Sequence, residues 1–348
     1  MSISERIKNH QSLNYFPLCP QYNINNSDMF IELTSKCNQS CIYCPFSQYG
    51  IHKNGRHIDD KLFYRVTKEA FDIGIKEIGL YSAGESFLNP KIYEYTKYLK
   101  NLGYKYVYIS TNGILCNDEN LIRLAEAGID SIKFSIASID RNNFKRHHGV
   151  DGFEIVKKNI INAYNFRKNN NYLYKLFLFF IVTKFNKHEK NNVMEIFGEY
   201  VDEILFDNVV IDNTLELKGV KEYLFVGANE FFKKGKERGL PCTDLWRVFS
   251  INADGYLCIC CNTGSEMCRI ADLNKTPLIE ALHGKDFVNL RKKHIERDLK
   301  NTICNKCIYK TNEKIEPLSP GMGIPSKYIN PVDITAEIKK RFYPEYVD

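Results

Sequence analysis

The chain has 348 residues and a mass of 40.5 kDa, with 44% hydrophobic and 26% charged residues, a net charge of +6 and 12 cysteines. This balance excludes a wholly disordered chain and supplies enough apolar side chains for a sizeable core. The mild positive charge is spread along the sequence, which permits an anionic ligand without demanding nucleic acid.

Short apolar segments alternate with helical patterns from residue 29 onward. A strand is predicted at 29–34, then a helix at 61–73 with Leu62, Val66, Ala70 and Ile73 on one face. A strand at 77–81 precedes a helix at 90–102, which has Pro90 in its first turn and Gly103 past its end. Strand 106–110, helix 118–127, strand 131–135, helix 152–168, strand 176–182, helix 187–200 and a short strand at 203–206 complete six units. Alternation of this kind implies a parallel sheet. Six units are fewer than the eight of a closed TIM barrel, so the fold class is α/β, an open, partial (β/α)6 TIM-like barrel. The rhythm breaks after 207. A hairpin is expected from strands 248–252 and 255–259 around Ala253-Asp254, then a helix at 277–297 and a proline-rich end with a short helical pattern at 334–342. The expected plan is an N-terminal extension (1–28), a barrel (29–207), a linker (208–241), a small Cys-rich α+β domain (242–309) and a C-terminal tail (310–348).

No run of ~18 apolar residues predicts a membrane span, and the first 26 residues lack the apolar core of an export signal. The chain is therefore read as cytoplasmic, with no membrane partner. In that compartment clustered cysteines are metal ligands or reactive thiols. Cys37, Cys41 and Cys44 form a C-x3-C-x2-C run just after the first strand, at the end of the sheet where α/β barrels do chemistry. Three thiolates from one loop hold three corners of a [4Fe–4S] cube and leave one iron open. A zinc knuckle is the competing use, but zinc favours four N/S ligands in paired motifs, and His52 and His57 fall at an unsuited spacing. Three unrelated buried thiols are the bland alternative.

With Tyr43 before the third cysteine, this run resembles the signature of the radical S-adenosylmethionine (SAM) superfamily, whose fold is a (β/α)6 partial barrel. The resemblance implies that the open iron chelates SAM, and that one electron cleaves SAM to a 5′-deoxyadenosyl radical, which takes a hydrogen atom from substrate. Ser82-Ala83-Gly84-Glu85 is similar to the family's Gly-Gly-Glu element for the SAM amino group, with Ala83 in place of the first glycine. Ser110-Thr111-Asn112-Gly113 and Ser135, in Phe134-Ser135-Ile136-Ala137, stand where relatives contact SAM. The implied SAM-binding residues are thus Tyr43, Gly84, Glu85, Ser110, Asn112 and Ser135.

The pattern Cys242…Gly255-x4-Cys260…Cys304-x2-Cys307 resembles the family's auxiliary-cluster region, called SPASM or, in its shortened form, twitch. No cysteine follows Cys307, which favours the twitch form, with one auxiliary [4Fe–4S] cluster on Cys242, Cys260, Cys304 and Cys307. A zinc ribbon from the same residues is the alternative. The layout is similar to that of the 2-deoxy-scyllo-inosamine dehydrogenases of this family. That likeness implies hydrogen abstraction from an alcohol carbon of a small polar substrate, with electrons passed to the auxiliary cluster, and a flavodoxin- or ferredoxin-type electron donor. Other readings remain. A radical epimerase would use a Cys hydrogen-atom donor, for which Cys261 is one candidate and Cys19 and Cys116 are others. A peptide-modifying SPASM enzyme is disfavoured by the short stretch before the first strand. A zinc-stabilised binding module would not be an enzyme. Lys145, Arg146, His147 and His148 are expected on a loop at the active end, facing an anionic substrate or solvent.

Overall fold

The computed structural model describes residues 15–20, 28–48, 52, 55–208, 240–260, 268–309, 314–322 and 334–342. In chain order its elements are β1 (Asp28–Ile31), α1 (Pro45–Gln48), α2 (Asp60–Asp72), β2 (Glu77–Gly79), α3 (Ile92–Leu102), β3 (Tyr106–Thr111), α4 (Asp118–Glu126) and β4 (Ser131–Ile136). These are followed by α5 (Arg141–His148), α6 (Phe153–Asn169), β5 (Lys175–Val182), α7 (Lys190–Phe197) and β6 (Glu203–Asn208). The remainder comprises α8 (Asp244–Arg247), β7 (Val248–Ile251), β8 (Tyr256–Cys258), β9 (Arg269–Asp272), α9 (Leu278–Leu282), α10 (Lys285–Glu296), α11 (Ile303–Tyr309) and α12 (Ile334–Phe342).

The strands form one sheet in the order β6-β5-β4-β3-β2-β1-β7-β8-β9. Strands β1 to β6 pair in parallel, as the six units imply. The hairpin does not stand apart: β7 pairs in parallel with the far edge of β1, and β8 and β9 continue antiparallel from it. The sheet therefore stays open, and the Cys-rich region extends it. One face is apolar. Met29, Ile31, Ile78, Val107, Ile109, Ile132 and Phe134 are fully buried beneath the helices. On the other face the Phe30, Tyr81 and Tyr108 rings converge, with centroids 5.2 to 6.2 Å apart. Lys133 Nζ lies 5.0 Å from the Tyr81 ring and 5.1 Å from that of Phe179.

The helices follow their caps. Asp59 accepts from the Leu62 amide at the start of α2, and Asp140 from that of Asn143 at the start of α5. Two expectations change. The helix expected at 277–297 is broken into α9 and α10, because Gly284 takes extended angles (φ −63°, ψ 153°). The basic run 145–148 is not a loop but the last turn of α5. Lys145 and Arg146 point outward, while His147 and His148 are buried.

Glu32, just past β1, is a buried carboxylate that joins the two halves of the sheet. It accepts from Ala83 N after β2 and from Ala253 N after β7, both at 3.3 Å. Burial pushes its pKa up from 4.5 to about 7, against these two hydrogen bonds. In the unfolded chain Glu32 loses its proton near pH 4.5, whereas the folded chain holds it until about pH 7. The associated stability is complete below pH 4.5 and is lost as pH rises through 7. A shift of this size is worth roughly 3 kcal/mol. Denaturant titrations from pH 5 to 8 are expected to show this decline in the wild type and a flatter profile in Glu32→Gln.

Candidate functional site

The loop between β1 and α1 carries Cys37, Cys41 and Cys44, and three neighbours hold its backbone. Thr34 bridges to His57, Ser35 N donates to Arg56 O (3.0 Å), and Ile58 N donates to Leu33 O (3.0 Å). From the β2 side, Glu85 N donates to Lys36 O (2.8 Å). From α5, the carbonyls of His148 and His147 accept from Ser40 N and Ile42 N, each at 2.9 Å. Two glycines allow these approaches. A Cβ on Gly84 would lie 2.2 Å from Thr34 O and 2.3 Å from Lys36 O. Gly149 caps α5 with φ 75°, and a Cβ there would lie 2.0 Å from Ser40 Oγ.

The three thiols line one cleft together with all six residues read as SAM contacts: Tyr43, Gly84, Glu85, Ser110, Asn112 and Ser135. The cleft holds about 160 Å³ of room for water-sized atoms. Glu85 is buried and already engaged. Its Oε1 accepts from Thr111 Oγ1 (2.8 Å) and Phe87 N (3.2 Å), and its Oε2 from Asn112 N (2.7 Å). Burial raises its pKa, against these donors. A carboxylate has about four lone-pair sites, so Oε2 retains acceptor capacity for an ammonium. Asn112 Nδ2 donates to Asn38 Oδ1 (2.6 Å) and approaches Cys37 Sγ (3.9 Å), tying the end of β3 to the cysteine loop.

Burial pushes the Cys37 thiol up to about 12, Cys41 well above its ordinary value, and Cys44 upward. Each is held as a neutral thiol unless a cation compensates the thiolate. The groups present fit an iron–sulfur cluster. The donor set is all sulfur, which suits Fe–S clusters. Among the described residues, no three His, Cys, Asp or Glu side chains converge on a single metal ion. Thiolates on separate corners of a cluster need no such convergence. The cleft continues past the thiols to the polar ends of β2, β3 and β4, as a bound SAM requires.

Sequence reasoning did not single out Gln39, which also lines this cleft; it gave Thr111 only as part of the Ser110–Gly113 element, His148 only as part of a basic run, and His52 only as an unsuited zinc ligand. His52 Nδ1 donates to Ser35 O (2.8 Å), leaving Nε2 3.7 Å from Cys44 Sγ. His148 sits beside Cys41 and is held far below its ordinary pKa, first by burial and then by His147 and Arg341. The only sequence signal for it was the capped helix Asp140 to Gly149, which was missed. The C-terminal helix α12 also reaches this loop: Arg341 donates to Ser40 O (2.8 Å), and Phe342 stacks on Phe185 (4.0 Å).

A second thiol group lies at the other end of the extended sheet. Cys242 precedes α8, Cys260 follows β8, and Cys304 and Cys307 share one face of α11. Burial pushes Cys242 up to about 12, with Asp244, Cys260 and Cys307 adding to it. Cys304 is raised well above its ordinary value by burial and then by Cys260, Cys242 and Cys307. Mutual repulsion of this kind places the four in one neighbourhood, and the donor set again suits an iron–sulfur cluster. Cys258 ends β8, and its thiol is raised first by burial, with Arg269 lowering it and Glu32 raising it next. Cys116 and Cys268 are fully buried, and Cys19 is exposed. Cys261 lies outside the described residues.

Residues 31–191 match the family model described as the radical SAM superfamily, and residues 242–308 match the one described as SPASM, an iron–sulfur cluster-binding domain. A probable GTP 3′,8-cyclase of Saccharolobus islandicus is 32% identical over 174 residues, 49% of this chain and 52% of that protein. The chain thus spans about half the length of the curated relatives it matches. Among solved structures, Streptococcus suis SuiB bound to S-adenosylmethionine superposes with a TM-score of 0.62 at 14% identity, covering 94% of this chain and 80% of that one. The structure of anSMEcpe with bound AdoMet gives 0.58 at 16% identity, over 91% and 97%. BtrN in complex with AdoMet and 2-DOIA gives 0.50 at 16% identity, over 82% and 93%. No described helix is long and apolar enough to cross a membrane.

Proposed function

This chain belongs to the radical SAM superfamily and carries a SPASM region, and we propose that it oxidises an alcohol carbon of a small polar substrate (a sugar, aminocyclitol or nucleotide-like molecule) by two electrons. When bound, the cluster and SAM supply one-electron cleavage of SAM and a radical able to abstract a hydrogen atom. Cys37, Cys41 and Cys44 would hold the cluster. Glu85 offers its remaining acceptor capacity to the SAM ammonium, and Ser110, Asn112 and Ser135 offer polar atoms at neighbouring strand ends. Gly84 lets the β2 loop close on the cysteine loop.

The observation that carries the oxidative reading is the second thiol group, Cys242, Cys260, Cys304 and Cys307, in the region whose strands extend the same sheet. Glu32 ties Ala83, in the wall of the first cleft, to Ala253 in the turn after β7. An auxiliary cluster there gives the second electron somewhere to go. The cyclase named for the curated relative supports a nucleotide-like substrate, and the 2-DOIA complex supports a small one. A flavodoxin- or ferredoxin-type donor fits the exposed Lys145, Arg146, Lys339 and Lys340 on α5 and α12, the two helices that meet beside Ser40. The epimerase alternative needs a thiol facing the cleft. Cys19 and Cys116 do not line it.

The test is Cys304→Ala, assayed with a panel of sugars, aminocyclitols and nucleotides. SAM cleavage is expected to persist while ketone formation falls by at least about tenfold. Full ketone yield without the second cluster would exclude the oxidative route. Inversion at one carbon with solvent hydrogen incorporation, and no ketone, would establish the epimerase instead.

A further inference from the structure

The partners of His148 assign both of its ring nitrogens. Nε2 accepts from the backbone N–H of Ala137 (3.0 Å), so it carries no proton, and the ring proton sits on Nδ1. That Nδ1–H faces three acceptors, Gln39 Oε1 at 2.9 Å, Cys41 Sγ at 3.2 Å and, at the limit of reach, the Tyr43 hydroxyl oxygen at 3.5 Å. The ring cannot turn freely. Phe144 packs on it at 4.2 Å, and the Ser40 and Ile42 amides fix the end of α5. Because Oε1 of Gln39 must face the ring, its amide nitrogen is turned away. Nε2 is buried without a hydrogen-bond partner, on a residue 5% exposed in the wall of the cleft.

We propose that Ala137, His148 and Gln39 form an oriented donor chain that tunes the cluster held by Cys37, Cys41 and Cys44. With Cys41 bound to iron, its sulfur has no proton to give, and His148 Nδ1–H is the ring donor already within reach of it. Gln39 Nε2, buried without a partner in the cleft wall, would be the second donor available to cluster sulfur. Hydrogen bonds to cluster sulfurs stabilise the reduced state and raise the reduction potential. His148 and Gln39 are therefore positioning residues that ease the one-electron reduction on which SAM cleavage depends. This inference rests on the cluster in the cleft and is independent of the substrate.

The experiment is a redox titration of reconstituted full-length protein followed by electron paramagnetic resonance, reading the signal that changes when SAM is added. His148→Phe keeps the ring packing on Phe144 and removes both nitrogens. Gln39→Glu keeps an acceptor toward His148 and replaces the amide donor with a carboxyl group, whose negative charge when ionised acts in the same direction. Each is expected to load iron normally and to shift the midpoint to more negative potential. A tenfold loss in the reduced-to-oxidised ratio at fixed poise is about 59 mV for one electron. His148→Gln, which retains an N–H, is expected to recover part of the shift. A wild-type midpoint in an iron-loaded His148→Phe protein overturns the proposal. If that variant fails to fold or load, Gln39→Glu decides alone, and a wild-type midpoint there overturns it equally. Loss of the SAM-responsive signal from the wild type itself would instead refute the cluster assignment.

Discussion

Replacing Cys37, Cys41 and Cys44 together by alanine is expected to abolish SAM cleavage, with a fall of more than about 100-fold, beyond what losing an outer-shell partner costs. The protein should nevertheless fold. The loop that carries these residues is held by backbone hydrogen bonds at Ser35, Ser40, Ile42 and Ile58, and by Glu85 N on Lys36 O, none of which involves sulfur. The thiols are neutral when metal-free, since burial raises all three, so alanine leaves no uncompensated charge. Iron bound after reconstitution should drop by about half, from roughly eight to roughly four per chain, because the second thiol group is untouched. Iron quantification and 5′-deoxyadenosine assay check this. Unchanged iron, or cleavage that survives the triple change, would sink the assignment of the cleft.

Gly84→Ala is the second change with a large expected effect. The added Cβ would fall 2.2 Å from Thr34 O and 2.3 Å from Lys36 O. Both are backbone oxygens, so no rotamer change relieves the contact. The β2 loop must move off the cysteine loop, breaking the 2.8 Å bond from Glu85 N to Lys36 O and displacing the Glu85 carboxylate from Asn112 and Thr111. Overpacking of this kind costs about 3 kcal/mol. Thermal unfolding should therefore occur at lower temperature, and SAM should bind at least about tenfold more weakly to the iron-loaded protein. Isothermal titration with SAM separates the two effects. Wild-type affinity would show that the glycine serves packing alone.

Much of this molecule was legible in the sequence because its signals are local. The parallel order of β1 to β6 follows from alternating periodicity, and the cysteine loop follows from spacing. The six residues read as SAM contacts line one cleft: Gly84 and Glu85 follow β2, Ser110, Asn112 and Ser135 lie at or just past the ends of β3 and β4, and Tyr43 lies in the cysteine loop. The missed features are all long-range. Parallel pairing of β7 with the free edge of β1 joins residues some 220 positions apart, and no periodicity encodes it. His148 looked like part of a basic run, because the neighbouring Lys145, Arg146 and His147 mask a helix whose caps are Asp140 and Gly149. Only the fold brings its ring to Cys41, 107 residues away. The break at Gly284 falls at a glycine inside the otherwise helical pattern of 277–297 and divides α9 from α10.

The central claim is that this cleft performs radical SAM chemistry. Its most direct test is the wild-type protein, reconstituted anaerobically and mixed with SAM and a low-potential reductant. Formation of 5′-deoxyadenosine by a brown protein holding about eight irons is the predicted result. A colourless protein that retains stoichiometric zinc and leaves SAM intact would contradict it.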